Sequence, residues 1–142
     1  MQGFDEIYND LIMEHSLNSP NKKKLEKPTA CELGHNPNCG DEIELQVEIE
    51  NGIVKDASFT GHGCAISQSS TSIMIDILRG KTIEQAKKII DVFAKMIKRE
   101  RLSDGERKLL GEGVAFENIS NMPARVKCAL LSWHTMQDLL EK

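Results

Sequence analysis

Three separate segments of the chain carry residue types that bind metals or react as thiols. Cys39 and Asp41 flank a single glycine. Cys64 follows a Gly-His-Gly stretch, and Cys128 lies near the C-terminal end of the sequence. Three thiolates and one carboxylate suit a tetrahedral zinc ion, and thiolates also hold iron–sulfur clusters. These four residues are therefore the predicted ligands of one metal centre.

The carboxylate is the unusual member of this set, because cysteine and histidine dominate purely structural zinc sites. Three thiolates and a carboxylate around Zn²⁺ carry a net charge of roughly −2, which leaves the sulfurs nucleophilic. Arg125 lies three residues before Cys128 on the same predicted helical face and could offset part of that charge, as could Lys127. We interpret Asp41 as a sign that one ligand exchanges during function.

Spacing alone leaves a second interpretation open, since no two cysteines form a C-x-x-C pair. Free cysteine is among the most buried residue types, so Cys64 and Cys128 could simply be core residues. Cys31 lies outside the group and is predicted to be an ordinary strand residue. His62 is a weak ligand candidate, because next to Cys64 in an extended segment it should point the other way.

Size and charge exclude several classes of protein. A chain of 142 residues fits one domain and can bury a core without disulfide bonds. Its net charge of −4 argues against a nucleic-acid binder, which normally presents a basic face. Nucleic acid is therefore not a predicted partner. The sequence also has no apolar run long enough to span a bilayer and no signal-peptide pattern, so a membrane is not a predicted partner either. The predicted compartment is the cytoplasm, where thiols stay reduced.

A β-hairpin is predicted directly after the Cys39–Asp41 segment. Apolar and charged residues alternate over 42–50, Asn51-Gly52 marks a turn, and 53–60 forms the return strand. A two-residue turn would mix apolar and polar residues on one face of the sheet. A three-residue loop over 50–52 aligns the apolar residues and is therefore the predicted register.

This register determines what meets at the open end of the hairpin. It sets Asp41 opposite Gly61 and Cys39 opposite Gly63, with Cys64 one residue further along. Side chains alternate in an extended strand, so Cys39 and Asp41 are predicted to lie on the same side. Cys64 also precedes a helix, whose dipole favours a thiolate. Cysteines distant in sequence are thus predicted to meet at one end of the sheet.

The remaining segments are predicted to be mostly helical, which gives an α+β fold. A short edge strand over 29–33 joins the hairpin, so the predicted sheet is small, three-stranded and antiparallel, with helices packed on it. Residues 82–85 resemble a capping box, and Pro123 suits the first turn of a helix that carries Trp133 in its apolar stripe. Residues 100–121 are predicted to be irregular apart from one short helix. The predicted helices cover about 3–15, 65–79, 82–99, 103–110 and 123–140.

Three ordered motifs resemble the signature segments of the IscU/SufU family of iron–sulfur cluster assembly proteins. They are Asn38–Asp41, Gly61–Ser67 and Pro123–Ala129, and the resemblance runs from the first helix to Trp133. The resemblance implies one SufE/IscU-like domain over 1–142. The chain is most similar to the SufU-type branch, because Lys127 stands where IscU-type members carry a histidine. Residues 100–119 also fit the SufU-type insertion.

The resemblance implies zinc held by Cys39, Asp41, Cys64 and Cys128. It further implies a sulfurtransferase role, in which Cys39 accepts persulfide sulfur from a pyridoxal-phosphate cysteine desulfurase of SufS type. The sulfur would pass towards a SufBCD-type assembly complex or apo-acceptors, with Arg125 giving electrostatic support. One alternative is a scaffold that holds a transient [2Fe–2S] cluster on the three cysteines. A second is a structural zinc domain that only docks other proteins.

Overall fold

A computed structural model describes residues 2–36 and 40–141, with side chains from Asp10 onward. Cys39 lies outside the described residues. Within the described part no helix is long and apolar enough to cross a membrane. The elements in chain order are α1 (Gln2–Leu17), β1 (Ala30–Asn36), β2 (Asp41–Glu50), β3 (Ile53–His62), α2 (Ala65–Leu78), α3 (Ile83–Ile97), α4 (Asp104–Leu110), a 3-10 stretch (Gly111–Asn121) and α5 (Pro123–Leu140).

The three strands form one antiparallel sheet in the order β1-β2-β3, and α2, α3 and α5 pack against it. This confirms the predicted α+β class and the three-stranded sheet. The edge strand β1 is longer than predicted and continues to Asn36, where it pairs with Asp41. Because that pairing starts β2 at Asp41, the predicted carboxylate ligand is fixed at the very end of the sheet.

The predicted hairpin register was wrong. Asn51 and Gly52 both have positive φ, 54° and 74°, and form the two-residue turn that the sequence argument rejected. A β-bulge then returns the apolar residues of both strands to the same face of the sheet. Glu48 pairs with Asp56 and Ile49 with Val54, which leaves Lys55 as the extra residue.

Beyond the bulge the apolar residues of the two strands face one another, with Leu45 opposite Phe59. At the open end Ile43, and not the predicted Asp41, lies opposite Gly61. The predicted extended segment before Asp41 was also wrong, because Gly40 has a φ of 69° in a turn. Glycine reaches this left-handed conformation without a steric cost, so the chain changes direction immediately before β2.

Two helix starts follow the capping signals in the sequence. Thr82 and Gln85 form a reciprocal capping box at α3, as predicted. Ser103 and Glu106 form a second one at α4, where the Ser103 N–H and the Lys95 ammonium hold the pKa of Glu106 below its usual range.

The segment after α4 is more regular than predicted, since residues Gly111–Asn121 form a 3-10 stretch. This stretch contains two glycines, but its Phe116 and Ile119 side chains are both buried. Phe116 meets Phe93 of α3 edge to face, with ring centroids 6.1 Å apart. Tertiary packing therefore orders a segment whose local sequence favours a loop.

A layer of large side chains connects the helices to one another. Trp133 of α5 is 1% exposed and stacks on Phe93 of α3, with centroids 3.8 Å apart and planes inclined by 5°. Its indole N–H donates to Ser70 Oγ of α2 at 2.8 Å, and that hydroxyl donates to the Ala129 carbonyl at 2.7 Å. The prediction of Trp133 as a core residue is confirmed. These contacts fix α2 and α5 side by side, which matters for the site below.

We expect Gly61→Ala to destabilise the protein by at least about 2 kcal/mol. Gly61 has a φ of 118°, and a Cβ there would stand 2.1 Å from the backbone oxygen of Glu42. Urea denaturation at constant metal content measures the loss. Gly105→Ala in α4 is the matched control, because its Cβ would meet no atom closer than 3.9 Å and helical alanine is favoured over glycine. Equal losses in the two variants would contradict the steric explanation.

Candidate metal centre

Three of the four predicted ligands come together at one end of the sheet. One ligand atom from each of Asp41, Cys64 and Cys128 lies within 4.8 Å of the others. Asp41 begins β2, Cys64 immediately precedes α2, and Cys128 lies in the second turn of α5. A strand and two helices that are remote in sequence thus converge on one small volume.

Cys64 is the N-cap residue of α2. Its backbone is extended, with φ −70° and ψ 168°, and its Sγ accepts the backbone N–H of Ser67 at 3.4 Å. The sulfur therefore faces the helix N-terminus, where free N–H groups favour negative charge. Cys64 is only half-buried, so the interpretation of this residue as an ordinary core cysteine does not hold.

Asp41 is completely buried, and its Oδ1 accepts the backbone N–H of Cys64 at 2.9 Å. This bond ties the carboxylate directly to the cysteine that caps α2. Gly63 makes the approach possible, because a Cβ there would stand 2.7 Å from Asp41 Oδ1. Burying a carboxylate is costly unless it is hydrogen-bonded and paired with a positive charge or a metal.

Cys128 is 1% exposed and lies on the inner face of α5. Burial alone would suit a core cysteine, but a buried carboxylate and a second thiol within 4.8 Å are not the surroundings of an apolar site. Arg125, one turn earlier, is exposed at the start of α5. Its role in supporting the charge of the site stays a prediction.

The donor set fits a zinc ion. Tetrahedral coordination with Zn–S bonds of about 2.3 Å requires ligand atoms roughly 3.5–4 Å apart, which small side-chain movements reach from the observed spacing. Asp41, Cys64 and Cys128 supply three ligands. Cys39, two residues before Asp41 in the chain, is the predicted fourth. The same thiols also suit an iron–sulfur cluster.

The other described candidates do not belong to this group of ligand atoms. Cys31 is exposed on β1, opposite Gln46. The His62 side chain is 73% exposed, and its Nε2 lies 3.5 Å from the Glu42 carboxylate. The predicted orientation of His62 away from Cys64 is therefore consistent with the structure. Lys127 is exposed beside Cys128.

Two features of this site do not follow from the sequence. Only the structure identifies the Asp41 carboxylate as the group that approaches Gly63. Ser67 gave no signal beyond its place in a serine-rich helix, yet its hydroxyl is buried beside the site.

Comparison with known proteins agrees with this geometry. Residues 7–129 match the NifU-like N-terminal domain family. The chain is 37% identical over 139 residues to the iron–sulfur cluster assembly scaffold protein IscU of Thermotoga maritima, covering 98% of this chain and 96% of the relative. It is 38% identical over 133 residues to the zinc-dependent sulfurtransferase SufU of Bacillus subtilis, covering 94% and 88%.

Solved structures show the same architecture. A crystal structure from Fervidobacterium islandicum AW-1, described as an iron–sulfur cluster assembly scaffold protein for the SUF system, superposes with a TM-score of 0.88. That protein is 36% identical, and the match covers 95% of this chain and 97% of the other. A NifU-like N-terminal domain from Brucella abortus gives a TM-score of 0.83 at 25% identity, covering 96% and 94%. The chain therefore belongs to the family of NifU-like N-terminal domains, the IscU/SufU family that its three motifs indicate.

Proposed function

We propose that this protein is a zinc-dependent sulfur carrier for iron–sulfur cluster assembly, with Cys39 as the sulfur acceptor. The observation that carries the proposal is the group of Asp41, Cys64 and Cys128, whose ligand atoms lie within 4.8 Å of one another. Similarity to a protein named as a zinc-dependent sulfurtransferase supports zinc as the metal. Zinc, when bound by Cys39, Asp41, Cys64 and Cys128, would stabilise the thiolates and protect them from oxidation.

The proposed reaction is a thiol–persulfide exchange. The Cys39 thiolate attacks the outer sulfur of a cysteine persulfide on the desulfurase. A sulfur–sulfur bond forms at Cys39 as the persulfide bond of the desulfurase breaks, and the desulfurase cysteine leaves as a thiolate. The Cys39 thiolate supplies the electron pair of the new bond, and the pair of the broken bond leaves with the desulfurase thiolate, so no external oxidant is needed. Arg125, exposed one turn before Cys128, would offset part of the negative charge of the metal-bound site.

The proposed donor is a pyridoxal-phosphate cysteine desulfurase of SufS type, and the proposed acceptor is a SufBCD-type complex or an apo-protein. We place the reaction in the cytoplasm, because its reducing conditions keep cysteine thiols from forming disulfide bonds. Residues 100–119, which include α4 and most of the 3-10 stretch, are proposed to be the SufU-type insertion within a single domain.

A second candidate is a scaffold for a transient [2Fe–2S] cluster on Cys39, Cys64 and Cys128. The names of the Thermotoga maritima and Fervidobacterium islandicum relatives favour it. Asp41, a weaker iron ligand than a thiolate, would keep such a cluster labile. Anaerobic reconstitution that yields iron and acid-labile sulfide, followed by transfer to an apo-acceptor, would support this candidate.

Sulfur transfer is tested without iron. A catalytic amount of the zinc-loaded protein is added to its cysteine desulfurase with cysteine and reductant, and alanine formation is measured. We expect many turnovers per added chain and complete loss of stimulation in Cys39→Ala. Cys31→Ala is the matched control, because this thiol is exposed on β1 outside the ligand group, and it should keep full stimulation.

The outcome separates three functions. Stimulation that survives in Cys39→Ala would favour a domain that only docks the desulfurase. Absence of stimulation without iron, together with efficient cluster transfer, would favour the scaffold.

A further inference from the structure

Ser67 has a buried hydroxyl with no hydrogen-bond partner. It is 1% exposed, and its Oγ is one of three buried side-chain atoms left without a partner among the described residues; the others belong to Ser58 and Ser132. Buried polar groups in folded proteins are nearly always hydrogen-bonded, so each exception needs an explanation.

The neighbouring hydroxyls of α2 do have partners. Ser69 donates to the carbonyl of Ala65 at 2.6 Å, and Thr71 donates to the carbonyl of Ser67 at 2.7 Å. The corresponding carbonyl for Ser67 would be that of Gly63, which instead accepts the side-chain amide of Gln68 at 2.9 Å. The Ser67 hydroxyl does not donate to this carbonyl as its neighbours donate to theirs.

The position of this hydroxyl points to the ligand group. A Cβ on Gly63 would stand 3.2 Å from Ser67 Oγ and 2.7 Å from Asp41 Oδ1, so both oxygens border the same small gap. The backbone N–H of Ser67 already donates to Cys64 Sγ. Ser67 thus contacts one predicted ligand through its backbone, and its side-chain oxygen borders the gap at Gly63 that the carboxylate of another ligand also borders.

We propose that Ser67 is a positioning residue, which donates its hydroxyl hydrogen bond to the Asp41 carboxylate when that carboxylate binds the metal. Carboxylates that bind metals are generally held by hydrogen bonds from surrounding residues, which fix their orientation. The Cys64 N–H is one such donor to Asp41, and a rotation of the Ser67 side chain about its Cα–Cβ bond would supply another. This inference rests on the metal site of the proposed function and adds a residue that controls how firmly Asp41 is held.

The test is the zinc affinity of Ser67→Ala, measured by competition with a chromophoric zinc chelator. We expect a loss of about 10–100-fold, the usual effect of removing such a supporting residue. Ser67→Thr keeps the hydroxyl and should restore most of the affinity. The metal-free stability of Ser67→Ala, measured by urea denaturation, should be unchanged or higher because an unpaired hydroxyl has been removed.

Ser58→Ala is the matched control. It also removes a buried hydroxyl without a partner, but from the middle of β3, opposite Gln46. Its zinc affinity should equal that of the unchanged protein. A loss of affinity in Ser58→Ala as large as in Ser67→Ala would overturn the inference, because the effect would then not depend on the site.

A double-mutant cycle with Asp41→Ala separates this inference from the proposed function. If Ser67 acts through Asp41, adding Ser67→Ala to Asp41→Ala should cost little further affinity. A full additional loss would overturn the assignment of Asp41 as the acceptor. Unchanged zinc affinity in Asp41→Ala alone would instead overturn the ligand role of Asp41. Weakened binding in Asp41→Ala with normal binding in Ser67→Ala would overturn only the role of Ser67.

Discussion

Replacing Trp133 with alanine is expected to lower the free energy of unfolding by about 3–5 kcal/mol. The indole is 1% exposed and stacks on Phe93 with ring centroids 3.8 Å apart. Its removal would leave a cavity at the junction of α2, α3 and α5, where the rigid surroundings cannot collapse completely. Urea denaturation is followed by far-ultraviolet circular dichroism, because Trp133 is the single tryptophan of the chain and its replacement removes the tryptophan fluorescence signal.

Trp133→Phe is the matched variant for this prediction. It keeps an aromatic ring against Phe93 but removes the indole N–H that donates to Ser70 Oγ. Ser70 still donates to the Ala129 carbonyl, so the hydroxyl is not left without a partner. We expect a loss of roughly 1–2 kcal/mol, well below that of Trp133→Ala. A loss equal to that of the alanine variant would mean that the hydrogen bond, and not the packing, dominates.

Removing zinc is also expected to lower the free energy of unfolding by a large amount. With free zinc about 1,000-fold above its dissociation constant, binding to the folded state alone adds about 4 kcal/mol to the free energy of unfolding. Cys128→Ala should abolish most of this increment, because it deletes one of the proposed ligands and raises the dissociation constant. Paired urea titrations, with excess zinc and with a chelator, measure the increment for each protein.

Cys31→Ala is the control for the zinc prediction, because it also removes one thiol but from an exposed position on β1. It should keep the whole zinc-dependent increment. The chelated form of Cys128→Ala should remain folded, since the large apolar core does not depend on the metal. An undiminished increment in Cys128→Ala would show that this thiol is not a ligand.

The elements of the fold follow from local signals in the sequence. The alternation in β2, the Asn51-Gly52 turn and the Thr82 capping box each act within a few residues, and all three are present. The hairpin register does not follow from local signals. The bulge at Lys55 allows a two-residue turn and still places the apolar residues of both strands on one face. A bulge has little local signature; it is selected by packing of the strands against the helices.

The 3-10 stretch shows the same limit. Local composition around Gly111 and Gly113 favours a loop, and the segment is ordered through contacts of Phe116 with α3, which is distant in sequence. Secondary-structure propensity depends on a few neighbouring residues, whereas the burial of a side chain depends on the whole fold. Local sequence patterns therefore underestimate how ordered a polar segment is when a few of its apolar side chains pack into the core.

By itself, the sequence pointed to the thiols and the carboxylate of the candidate site, because its three motifs contain residue types that bind metals. It also determined the α+β class and the family. Only the tertiary structure decided that Asp41 accepts the Cys64 N–H, that Cys128 reaches them, and that the Ser67 hydroxyl borders the same gap. The physical reason is that these approaches of a few ångströms depend on how α2 and α5 pack on the end of the sheet, which involves contacts between residues far apart in the chain.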